Sequence, residues 1–433
     1  MRVPAPRRPR TTLSLLASAL LLAACGGEGS TSTGTSSTGT NSTSTTSTTA
    51  TTSTTTGSGG ASSTSTTSTT STTSTTGSGG AGGMGGASTT GAGGAGGMGG
   101  SGGAGGAGGG PSCLPPLTLC DGVCVDTALD DKNCGVCNHD CQGGGCFTAV
   151  CQIAQAALGQ AGPAYLAVDA LNLYWANLDD GTIMKAPKKG GAPVLLASGQ
   201  NFPVGVSSNG VDVYWANLGA SSVMKVSIDG GNPVVIAANE GSPGYTALDA
   251  THVYWTNFGD GKVKKADLDG GNPVLLASGQ AGANGIAVNA NHVYWANYNG
   301  GQVMQANLDG SSPMTLAMGQ NKPQFCALDA TAFYWTNAGS QNDSVGALLH
   351  VPVAGGAPVI LAGSQSYPGA VAVDAQNIYW TESTAGNVNK MPLGGGVVTV
   401  VASNQDIPIG VVADDIAIYW SVYGKGRVYK LVK

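Results

Sequence analysis

Charge is scarce in this chain: Asp, Glu, Lys and Arg together make up 10% of 433 residues. With 18 basic residues against 24 acidic ones, it lacks the basic surface that nucleic acid or an anionic bilayer demands of a partner. Histidine is rarer still, four in all, which leaves little material for general acid–base catalysis. Apolar runs long enough to remain in a bilayer are also missing. The run from Leu13 to Ala24 is too short to span one.

That run lies behind Arg2, Arg7, Arg8 and Arg10, the basic start and apolar middle of an export signal. It ends in Leu22-Ala23-Ala24-Cys25, which resembles a bacterial lipobox. The resemblance implies a signal peptide over residues 1–24 and a diacylglyceryl anchor on Cys25. With Gly26 next, it also implies an outer-membrane or cell-surface address, the membrane being a partner through the lipid. Losing those four arginines takes the formal charge from -6 to -10. Residues 25–112 continue in Ser/Thr repeats and then Gly-Gly-Ala and Gly-Gly-Met repeats, which offer nothing to bury. They are predicted to be a disordered tether.

Eight of the ten cysteines fall in residues 113–151: Cys113, Cys120, Cys124, Cys134, Cys137, Cys141, Cys146 and Cys151. An even count in a short, exported, core-poor segment predicts disulfides in place of a core, with pairing left open. Zinc is the competing reading, because Cys134-x-x-Cys137 with His139 and Cys141 has suitable ligand types. The stretch Cys120-Asp-Gly-Val-Cys124-Val-Asp, with Asn133-Cys134-Gly-Val-Cys137 downstream, is similar to small cysteine-rich modules of the stigma-specific-protein type. No cofactor is expected.

From residue 152 to 433 one paragraph is written seven times. All seven Trp belong to Tyr-Trp pairs, at Trp175, Trp215, Trp255, Trp295, Trp335, Trp380 and Trp420. One copy reads Gly285-Ile-Ala-Val-Asn289, Val293-Tyr-Trp-Ala-Asn297, Gln302-Val-Met-Gln-Ala306 and Pro313-Met-Thr-Leu-Ala317, which predicts four short strands between turn residues. Four strands per repeat of about 40 residues predict a β-propeller. The last copy stops after its third strand. Ile153-Ala-Gln-Ala-Ala157 matches the missing fourth, so the expected fold is all-β, a monomeric seven-bladed propeller of four-stranded blades closed by an N-terminal strand. An Asx residue six before every Trp, from Asp169 to Asp414, is predicted to form the first turn of each blade.

Leu268-Asp-Gly-Gly271 and Ile286-Ala-Val-Asn289-Ala-Asn-His-Val-Tyr-Trp295 resemble the YWTD propeller repeats of lipoprotein-receptor ectodomains, and more loosely NHL repeats. Two departures stand out. Asn177, Asn217, Asn257, Asn297 and Asn337 replace that family's Asp, and seven copies replace its usual six, which predicts a wider central channel.

In a propeller, the loops between blades share a face with those joining second to third strands, and ligands are expected there. A Gln recurs in the between-blade loops, at Gln160, Gln200, Gln280, Gln320, Gln365 and Gln405, with Glu240 in the third copy. Repetition marks it as a structural hydrogen-bond former. Phe202, Tyr245, Phe258, Tyr298, Phe325, Tyr367 and Tyr423 differ between copies and are expected to be exposed aromatics on that face, suited to peptide or sugar. A five-residue insertion before Val345 falls there too. The expected function is a surface-anchored, non-enzymatic binding or scaffold protein whose partner is an extracellular protein or glycan. The alternatives are a propeller hydrolase or lyase, for which Glu240 is the residue to test, and a purely structural surface protein. Asp179, Asp180, Asp260 and Asp343 show no calcium-loop spacing, and Cys326 occupies a column of apolar residues.

Overall fold

A computed structural model describes residues 113–339 and 345–433. The export signal, Cys25, the tether and residues 340–344 of the inserted loop, Asp343 among them, lie outside the described residues.

Seven four-stranded antiparallel sheets form the propeller. The first strands of successive blades, Pro163–Val168, Pro203–Ser208, Pro243–Leu248, Ala283–Val288, Pro323–Leu328, Pro368–Val373 and Pro408–Ala413, pack side by side in a ring around the axis. The fourth strand of the last blade is Ala154–Ala157, paired with Arg427–Val432 through Val428↔Ala157, Tyr429↔Gln155 and Lys430↔Ala154. The ring is therefore closed by the N-terminal strand, as expected.

The Tyr-Trp pair explains why blades stack. Second strands such as Asn172–Asn177 are buried on both faces, so their apolar residues run on instead of alternating. Tyr174 packs into the interface where Trp215 of the following blade lies. The same pairing recurs as Tyr214 with Trp255, Tyr254 with Trp295 and Tyr294 with Trp335. Tyr334 with Trp380, Tyr379 with Trp420 and Tyr419 with Trp175 complete the circle. At ~25 cal/mol per Å2 and roughly 150–250 Å2 per ring, each interface gains ~8 kcal/mol or more before chain entropy is counted.

Each first turn is built by its Asx. Asp169 Oδ1 accepts from the amides of Leu171 and Asn172, and its Oδ2 accepts from Tyr174 Oη at 2.6 Å. Asp249, Asp329 and Asp374 repeat all three bonds. Burial by itself would raise these carboxyls. The bonds from Tyr254, Thr251 and His252 outweigh it and hold Asp249 at about 2. Asp329, Asp374 and Asp414 are lowered against the same opposing burial. Depressed carboxylates stabilise the fold above their unfolded pKa of about 4, and that stability is lost as pH falls through the folded value. The melting temperature should therefore fall steeply between about pH 4 and pH 2; a flat profile there would refute the assignment.

The cysteine-rich module holds four disulfides, Cys113–Cys124, Cys120–Cys137, Cys134–Cys146 and Cys141–Cys151. The sulfurs of Cys134, Cys141 and Cys151 lie together, but each is spent in a disulfide, which removes the zinc reading. His139 instead places Nδ1 2.6 Å from the Cys134 carbonyl and Nε2 2.9 Å from that of Lys433. The module also touches the closing blade through Lys430 Nζ, which donates to the carbonyls of Gln142 and Lys188. Burial lowers the Lys430 ammonium to about 8.

Candidate binding face

The repeated Gln is the fastener of the upper face. In all seven blades the Trp indole donates to its side-chain oxygen, or to that of Glu240, at 2.7 to 3.3 Å. In five blades the Asn two residues after the Trp donates to the same atom. An ionised Asp has no proton to give, which accounts for Asn at 177, 217, 257, 297 and 337. The Gln amide in turn donates to the carbonyl two residues back, as Gln160 does to Leu158.

Glu240 takes the Gln role. Its Oε2 accepts from Trp255 at 3.0 Å and Asn257 at 2.6 Å, and its Oε1 meets Lys264 Nζ at 2.6 Å. The side chain is 4% exposed. A carboxylate so enclosed and charge-paired is held as part of the blade, and nothing in its setting offers it to a ligand.

Backbone bonds zip the loops into a continuous ring. The residue before each inner strand accepts from the first residue of the second-to-third-strand loop of its own blade: Leu178 N to Gly162 O, Leu218 N to Phe202 O, Phe258 N to Ser242 O, and so on to Tyr423 N to Ile407 O. The amide of the Gln column bonds the preceding blade's loop, as Gln200 N does to Gly181 O.

The zipping has a conformational consequence. The residue before the inner strand has positive φ in every blade: Gly162 (69°), Phe202 (56°), Ser242 (53°), Gly282 (67°), Lys322 (56°), Tyr367 (51°) and Ile407 (61°). Glycine adopts this region freely, whereas a side chain there costs ~1–2 kcal/mol and a β-branched one is an outlier. Two blades take the relaxed solution and five keep a side chain. Phe202, Tyr367 and Ile407 are half-buried and Lys322 is exposed. Of these, the sequence reading found Phe202 and Tyr367 and missed Ser242, Lys322 and Ile407. The Pro that follows in six of the seven copies marks the column but not its positive φ, since a following Pro favours extended backbone.

Other expected face residues sit elsewhere. Tyr245 and Phe325 are on inner strands, not in loops. With Tyr165 they form a triad whose ring centroids lie 5.4, 5.4 and 6.4 Å apart. The triad narrows the channel that seven blades would otherwise leave wide. Phe258 and Tyr298 do lie in the predicted loops, but they pack on each other and on Ala338, 8% and 9% exposed. Tyr423 Oη donates to Asp179 Oδ1 at 2.6 Å across the seam between the last and first blades. None of the seven aromatics is fully exposed: Tyr245 and Phe325 pack in the channel, and the zipped loops hold the other five against neighbours. Cys326 lines the channel, and burial pushes its thiol well up.

Known proteins share this architecture. A streptogramin B lyase superposes with a TM-score of 0.56 at 13% identity, over 64% of this chain and 96% of that one. A virginiamycin B lyase from Staphylococcus aureus gives 0.56 at 12%, over 65% and 98%. The likeness is one of fold. A chain of a nidogen/laminin complex gives 0.46 at 22%, over 56% and 97%. No family model and no curated protein sequence matches the chain.

Proposed function

We propose that this is an exported, lipid-anchored, non-enzymatic binding or scaffold protein, held to the outer membrane or cell surface through Cys25. It takes an extracellular protein, peptide or glycan on the upper face. The observation that carries the reading is the ring of strained positions: side chains are kept at Phe202, Lys322, Tyr367 and Ile407 where two sister blades use glycine. Phe202, Ile407 and Tyr367 also pack on buried clusters, and strain retained against an available relief supports a further task for them and for Lys322. The blades beneath are uniform and the ring is varied, as a scaffold carrying one binding surface requires. The enclosure of Glu240 beneath Trp255 further supports binding over hydrolysis. The finer likenesses, YWTD repeats in the ring and a stigma-type module before it, belong to this proposal and fit a surface role.

Glycan and peptide arrays probed with the full chain test it, against a Phe202→Gly/Tyr367→Gly double variant. The expected result is a defined set of binders that the variant holds at least tenfold more weakly. No binder, or binders indifferent to the variant, would overturn the reading. Lys322→Gly separates task from fold. It should raise stability by about 0.5–1 kcal/mol, because the left-handed penalty disappears while little burial is lost. The same change should weaken binding. A fall in melting temperature would show that Lys322, whose ammonium lies 5.9 Å from the Tyr298 ring centroid, is there for stability.

A further inference from the structure

The channel is filled by alternation, and alternation cannot close on an odd ring. Reading one position around the seven inner strands gives Tyr165, Gly205, Tyr245, Gly285, Phe325, Ala370 and Gly410. Large and small take turns until Ala370 and Gly410, two small residues side by side. The glycines cannot be enlarged. A Cβ on Gly205, Gly285 or Gly410 would lie 2.4, 2.1 or 2.2 Å from a carbonyl oxygen of the next inner strand. Three rings therefore share a space shaped for more. A cavity of about 160 Å3 remains, lined by residues of all seven inner strands, Val206, Ile286, Val371 and Val411 among them.

We infer that this channel cavity is a binding site for a small, uncharged aromatic molecule. Its volume matches the roughly 150 Å3 apolar cavity known to admit benzene. Its walls combine aliphatic side chains with the faces and edges of Tyr165, Tyr245 and Phe325, which favour another ring at an edge-on or offset angle. A cation is the wrong guest. No charged side chain lines the cavity, so a cation entering it would lose its hydration with no opposite charge to replace it. The channel lining alone carries this inference, which does not depend on the proposed role of the upper face.

Calorimetry and saturation-transfer NMR on the full chain, with toluene and p-cresol as probes and benzoate as the charged control, decide the matter. Toluene or p-cresol should bind and benzoate should not. Ala370→Phe, which supplies the missing ring, should reduce binding at least tenfold. If that variant does not fold, Phe325→Ala provides the second arm, since its larger cavity should admit naphthalene where the parent excludes it. Absence of binding by both neutral probes, benzoate binding equally well, or an unaffected Ala370→Phe variant would overturn the inference. So would failure of Phe325→Ala to take naphthalene.

Discussion

Deleting residues 152–158 should lower the melting temperature by about 10 °C or more. The segment contains Ala154–Ala157, the outer strand of the last blade, whose Ala154 and Ala157 are 8% and 3% exposed. Without it Arg427–Val432 becomes an edge, and Val428, now fully buried, loses its cover. Hydrogen bonds contribute about 0.5–1.5 kcal/mol each, so the lost ladder and side-chain burial together cost on the order of 4–6 kcal/mol. An open edge adds a route to aggregation. Differential scanning calorimetry of the deletion beside the parent reads the effect. A melt within a degree of the parent would mean the closing strand is dispensable.

Lys264→Met should destabilise the protein by ~3–5 kcal/mol, because it strands the Glu240 carboxylate in a buried site with no opposite charge. The same substitution should be nearly harmless once Glu240 is Gln. The blade would then repeat what others already use: in the register opposite Trp, Met184, Met224 and Met304 stand where Lys264 does, each beneath a Gln. A double-mutant cycle in denaturant isolates the coupling. Additive costs would show that the 2.6 Å contact between Lys264 and Glu240 contributes little.

Much of the fold is legible in the sequence, and less of the face. The 40-residue beat of Tyr-Trp sets blade number and strand order, because a period imposed by large buried rings survives variation elsewhere, and closure follows from residues 153–157 matching the fourth strand that the last copy lacks. Glu240 stood out as an oddity, yet the compensating Lys264 lay 24 residues away and was legible only by setting the seven third strands side by side. Tyr245 and Phe325 were misplaced for a different reason. Each inner strand carries a register shift near its start, as between Pro243 and Thr246. A bulge sets two residues against one and breaks the alternation by which a strand's faces are assigned from sequence. The strained ring was hidden because backbone sign is not written in residue type except where glycine appears.

The module's grip on the closing blade also decides how the ring carries mechanical load. A pull toward the N-terminus reaches the propeller only through residues 113–151, which four cross-links make nearly inextensible. The contacts of His139 with Lys433 and of Gln142 with Lys430 tie that block to the strand its own continuation, Ala154–Ala157, pairs with. Tension is thereby divided across both sides of the seam. The clasp cannot be peeled one bond at a time from its N-terminal end until the block itself lets go.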